Sequence, residues 1–168
     1  MMRFSFGCAV ASVLTLTACG SETSGEFTTE DGESAEYTID SDTGETSMTV
    51  ATEQGAVSMR SGADVPIELP AGFSMIDGAQ VTTNTVIDQA GSRGALVNFT
   101  TSKTPDEVFA FYREQAEAAG IDLQIETKMN GGGMIGGENA ATGLLFSVTA
   151  YPGDAGTSGQ LTIGEGPA

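Results

Sequence analysis

The side chains able to do chemistry in this chain are few in kind: it has no histidine and only two cysteines, Cys8 and Cys19. Histidine is the commonest general base and metal ligand near neutral pH, so most acid–base and zinc chemistry loses its usual instrument. Carboxylates remain, 23 of them. Two at the right separation can act as acid and base in glycoside cleavage, but none stands in a motif that singles out a pair, and a solvated acidic surface accounts for them. Asp40-Ser41-Asp42-Thr43-Gly44-Glu45 is the segment best suited to a hard cation, which prefers clustered oxygen ligands. It departs from an EF-hand loop, since glycine stands at position five and Ala51 falls where glutamate is required; a polar hairpin turn explains the same residues. Asn130 to Gly137 is the densest glycine stretch. A phosphate cradle there would need a following helix and usually a lysine, and neither is present, so it reads as a mobile loop between two strands. No G-x-S-x-G elbow or S-x-x-K pair occurs, Ser102 and Lys103 being adjacent. These residues assign no catalytic, metal or cofactor site, and the expectation is a protein that is not an enzyme.

Cys19 is the exception. It closes an apolar stretch, Phe4 to Ala18, that follows a single positive charge at Arg3. The stretch is shorter than the ~20 residues of a membrane-spanning helix, and its charged, apolar, small-residue order is that of an export signal. Leu16-Thr17-Ala18-Cys19, followed by Gly20, resembles the lipobox of bacterial lipoprotein precursors. The resemblance implies cleavage before Cys19, a diacylglycerol thioether on its sulfur, and an acyl group on the freed amine. Two or three acyl chains hold a protein durably where one holds it marginally. Cys8 would leave with the leader, so the processed chain would carry no free thiol. Gly20 rather than aspartate after the cysteine implies, within the same resemblance, release toward an outer membrane facing the periplasm if the source has two membranes.

The expected organisation is a leader at 1–18, an acylated anchor and tether at 19–25, an acidic β-meander at 26–62 and an α+β domain at 63–168. The chain has a net charge of −17, and loss of Arg3 with the leader makes the remainder more acidic by one. Such a surface repels phosphate polymers, which argues against nucleic acid as a partner. The expected partners are instead the membrane, through the lipid on Cys19, and an envelope protein.

Positioning these residues falls to short alternating segments. Tyr37 and Ile39, Met48 and Val50, and Val57 and Met59 each alternate with polar residues, a period of two that puts the apolar set on one face of a strand. Asp31-Gly32, Thr43-Gly44 and Gln54-Gly55 supply the turns. A meander this small needs a cover, so it is expected to pack on the second half. There, Val65 to Pro70 reads as an edge or connecting segment, and Val81–Ile87 and Ala95–Thr101 as strands. Pro105–Ala119 reads as a helix with a Thr104/Glu107 capping box and a Gly120 stop. Its apolar face is Val108, Phe111, Tyr112, Ala116 and Ala119, widened by Phe109. Strands at Ile121–Met129, Thr142–Tyr151 and Gly159–Ile163 complete a β-β-α-β-β-β order. The fold class expected is therefore α+β: an N-terminal antiparallel β-meander followed by an antiparallel sheet with one packed helix.

Pro70-Ala71-Gly72-Phe73, Gly78-Ala79 and the run from Thr104 to Tyr112 ending in Ala119-Gly120 are similar to a pattern in uncharacterised bacterial envelope proteins, which brings no activity with it. The glycine-punctuated meander faintly resembles β-repeat adhesins. Together these readings give a membrane-anchored envelope lipoprotein acting as a non-enzymatic binding or structural module. The alternative is a lipoprotein that binds a cation or small ligand through the acidic meander.

Overall fold

A computed structural model describes residues 21–29, 32–53, 55–154 and 156–166. The leader, Cys19 and Gly20 lie outside the described residues, as do Asp31 and Gln54 of two expected turns. The elements run β1 (Glu22–Thr28), β2 (Ser34–Asp40), β3 (Thr46–Thr52), β4 (Gly55–Gly62), β5 (Gln80–Gln89) and β6 (Ser92–Thr101). Helix α1 (Pro105–Ala118) follows, then β7 (Asp122–Met129), β8 (Gly132–Asn139), β9 (Leu144–Gly153) and β10 (Gly156–Glu165). All ten strands form one antiparallel sheet in the order β1-β2-β3-β4-β5-β6-β10-β9-β8-β7.

This corrects the expected α+β class: the described residues form one large sheet with a single short helix. The meander does not stack on the second half; it continues the second half's sheet edgewise, β4 pairing with β5 from Val57↔Gln89 to Gly62↔Asn84. Edge pairing satisfies the backbone of both strands, which stacking would leave open. Residues 22–25, expected in the tether, belong to β1 and pair with β2. The strand order after the helix gains a member, since the expected loop at 130–137 contains most of β8.

The helix forms as its caps dictate. Thr104 Oγ1 accepts from the Glu107 backbone N–H at 3.3 Å, and the Glu107 carboxylate accepts from the Thr104 backbone N–H at 2.8 Å. At the other end Gly120 takes φ 71°, the left-handed conformation that costs glycine nothing. The Gly120 and Ile121 N–H groups donate back to Glu117 and Ala116, a Schellman stop that turns the chain into β7. The face α1 buries is Val108, Phe109, Tyr112 and Ala116. Phe111 lies at its margin, edge-on to the Tyr112 ring at a centroid distance of 5.1 Å, and packs on the core only in part. The helix crosses β7, β8 and β9. Beneath it and the 63–79 connector lie Val97 and Phe99 of β6, Leu161 and Ile163 of β10, and Phe146 and Val148 of β9. The connector is tied down by Asn84 of β5, whose side-chain amide donates to the carbonyls of Val65 and Pro66 at 3.2 and 2.9 Å.

Two hydrogen bonds from the Thr104 backbone N–H and hydroxyl hold the Glu107 carboxyl below its ordinary value of 4.5. A carboxylate with a lowered folded pKa contributes stability that is present above the unfolded value and lost as pH falls through the folded one. Thr104→Ala is therefore expected to cost about 0.5–2 kcal/mol at pH 7. Glu107→Gln should flatten the acid-side loss of stability as pH falls below about 4.5. Urea titrations across pH check both; an unchanged acid slope in Glu107→Gln would refute the role of the carboxylate.

Candidate functional site

The space between helix and sheet, where a mixed fold would house a ligand, is filled. Tyr112 is fully buried, with its ring centroid 6.2 Å from Phe99 and 6.4 Å from Phe146. Phe73 lies 5.5 Å from Phe146. The Tyr112 hydroxyl donates to Met75 Sδ at 3.8 Å, and burial pushes its pKa up to about 12. It is a core group held neutral, with no free proton-transfer partner beside it.

The Asp40–Glu45 segment forms a turn in which Asp40 Oδ1 and Glu45 Oε1 are engaged within the protein. Asp40 Oδ1 accepts from the backbone N–H groups of Asp42 and Thr43 at 2.8 and 3.1 Å, bonds that lower its pKa. Glu45 pairs with Arg60 at 2.8 Å. Among the described residues no three carboxylates, cysteines or histidines converge as metal ligands. An Asx turn closing the β2–β3 hairpin accounts for these residues, the hairpin-turn reading that their sequence also allows.

The glycine run is a strand in the sheet's interior. Asn130 and Gly131 take φ of 53° and 78°, the pair of left-handed residues that a two-residue hairpin turn requires. They fold β8 back on β7, so Ile135 packs into the core at 2 % exposure. A Cβ on Gly133 or Gly137 would overlap the carbonyl oxygens of Thr127 or Asp122 on β7. Only glycine lets the two backbones approach this closely.

The strands separate charge between two faces. Cross-strand partners share a face, so the register traces each row. On the helix side stand Glu26 and Glu36, Arg60, the Asp88–Arg93 pair and Glu165. Glu126 and Lys128 also lie there, pairing at 2.9 and 3.0 Å with Arg113 and Asp106 of the helix. The opposite face carries Tyr37 and Met48, Val50, Val57 and Met59, Ile87 and Leu96. Uncharged side chains continue the row: Thr162, Ser147, Gly136 and Ile125. Among the described strands only Glu138 and Asp122, at one corner, put a charge on it. At the other end of the same face Phe27 and Tyr37 lie 6.4 Å apart with their rings tilted by 46°. Toward β7 a hollow of about 290 Å³ is lined by Ile125, Gly137, Glu138, Leu145, Ser147 and Thr162.

A protein-family model described as START domain-like matches residues 80–160. The match takes in β5, β6, α1, β7, β8, β9 and the start of β10, and this likeness points to a ligand-binding module. No curated protein and no solved structure matches the chain. The uncharged face was within reach of the sequence strand by strand, through the alternation in β2, β3 and β4. That the rows align across ten strands was not, because it depends on pairing between distant segments.

Proposed function

We propose that this chain is a lipid-anchored, non-enzymatic binding module of a bacterial cell envelope, held by acyl chains on Cys19. The observation that carries the anchor is Leu16-Thr17-Ala18-Cys19-Gly20 at the end of an apolar leader. Among the described residues no helix is long and apolar enough to cross a membrane, which fits attachment by lipid. Binding is supported by the START-like match and by the uncharged sheet face. The high net negative charge speaks against nucleic acid, and Gly20 favours an outer membrane facing the periplasm where there are two.

The alternative role, binding a small ligand, moves from the acidic meander to the hollow between Ile125 and Leu145. At about 290 Å³ it stands at the lower end of small-molecule sites, and Ile125 and Leu145 suit an apolar group.

Cys19→Ser removes the acceptor sulfur. The variant should keep its leader and incorporate no radiolabelled palmitate, whereas the wild type is labelled and survives carbonate washing of membranes. Palmitate labelling of Cys19→Ser equal to wild type would overturn the anchor.

A further inference from the structure

Eight large apolar side chains are exposed among the described residues. Ile67 is on the connector; the other seven stand on the face opposite the helix, including Phe27, Ile39, Ile87 and Leu145 at 40–53 % exposure. The same face holds only the two corner carboxylates of a strongly acidic chain. Exposed single hydrophobes are ordinary, but seven on one nearly uncharged face, crossed by the row Tyr37, Met48, Met59 and Ile87, mark a place that something covers.

We propose that this face lies on the membrane surface, an inference that rests on acylation at Cys19. Two observations choose lipid as its occupant. The first is reach. Only Gly20 and Ser21 separate Cys19 from Glu22, so at most about 10–11 Å of extended chain lies between the anchor and the start of β1. Ile39 of β2 pairs with Thr23 at the start of β1, and Phe27 follows toward that strand's end, so the apolar face begins beside the anchor.

The second observation is charge. With the uncharged face down, Glu26, Glu36 and Asp40 stand on the far side of the sheet. That places them about 10 Å above the lipid, roughly one Debye length at physiological ionic strength. With the sheet inverted, the same carboxylates would press against anionic headgroups. Both faces are present whichever way the sheet lies, and only one orientation relieves the repulsion while burying Phe27, Ile39 and Ile87 at the interface.

The processed chain would have no thiol besides the acylated Cys19, so one introduced cysteine reports one position. Mature acylated protein carrying Ile39→Cys, Ile87→Cys or, on the acidic face of β3, Thr49→Cys is labelled with a polarity-sensitive fluorophore. It is then reconstituted in phosphatidylethanolamine–phosphatidylglycerol vesicles. Labels at Ile39 and Ile87 should be quenched several-fold more by nitroxide lipid, and several-fold less by aqueous iodide, than the label at Thr49. Equal iodide quenching on both faces of vesicle-held protein overturns the proposal while leaving the anchor intact. Shielding that disappears on diluting the protein in the membrane also overturns it, assigning the face to a second copy. If instead Cys19 itself takes the label and the protein washes off the vesicles, the anchor fails and the orientation falls with it.

Discussion

Tyr112→Ala is expected to lower the unfolding free energy by about 3–5 kcal/mol, the usual cost of removing a large buried ring that its surroundings cannot collapse to replace. The ring is fully buried and touches aromatics from three directions: Phe99 on β6, Phe146 on β9 and Phe111 on its own helix. Its loss opens the seam between α1 and the sheet. Phe111→Ala should cost clearly less, because that ring is only partly buried; equal costs would contradict the placement of the helix. Tyr112→Phe separates ring from hydroxyl and should stay within about 1 kcal/mol of wild type, since the O–H finds only a weak sulfur acceptor at 3.8 Å.

The same residue sets an alkaline limit. A tyrosine whose pKa rises from 10 to about 12 on folding binds its proton more tightly in the native state. Its contribution is whole below pH 10 and declines between pH 10 and 12 as the unfolded chain ionises first. About 2–3 kcal/mol is lost across that window. Tyr112→Phe should remove this part of the alkaline slope, read by urea titrations from pH 8 to 12.

Gly137→Val is the second large effect. The position needs no left-handed backbone; what it lacks is room, because a Cβ there would overlap the Asp122 carbonyl of β7. The neighbour is backbone, so no rotamer change relieves the clash. Overpacking of this kind costs about 1–3 kcal/mol. β7 is an edge strand, paired on one side only, so the strain is expected to be relieved by detaching it. Hydrogen exchange should then rise in residues 122–129 while β9 and β10 keep their protection. Unchanged exchange in β7 would show that the two strands are further apart than described.

These glycines also show what could be read from the amino acids. Hairpins β2–β3 and β3–β4 were legible because Tyr37, Ile39, Met48, Val50, Val57 and Met59 alternate with polar residues. The helix was legible because Thr104, Glu107 and Gly120 announce its ends. β8 was hidden because glycine has no side chain to alternate; in Gly132 to Gly137 only Met134 and Ile135 carry pattern. Asn130-Gly131 was the available signal, a two-residue hairpin turn in front of what looked like a loop. The start of β1 was hidden for a related reason, since Glu22 to Gly25 carries no apolar residue and Phe27 is the strand's only one. The fold class went wrong at Gly62. Local alternation assigns a face to each residue, but whether two such sheets stack or join depends on β4 meeting β5 across the 63–79 connector. The same holds for the site: the acids of Asp40–Glu45 are legible as a turn from their own sequence, whereas a nearly uncharged face exists only once distant strands pair.

The proposed lipid on Cys19 is read most directly from the N-terminal peptide of the membrane-fraction protein. Its mass should be that of a peptide beginning at Cys19 with a diacylglycerol thioether and an amide-linked acyl chain. A peptide that still carries Met1–Ala18, or one that begins elsewhere with no lipid on Cys19, would contradict it.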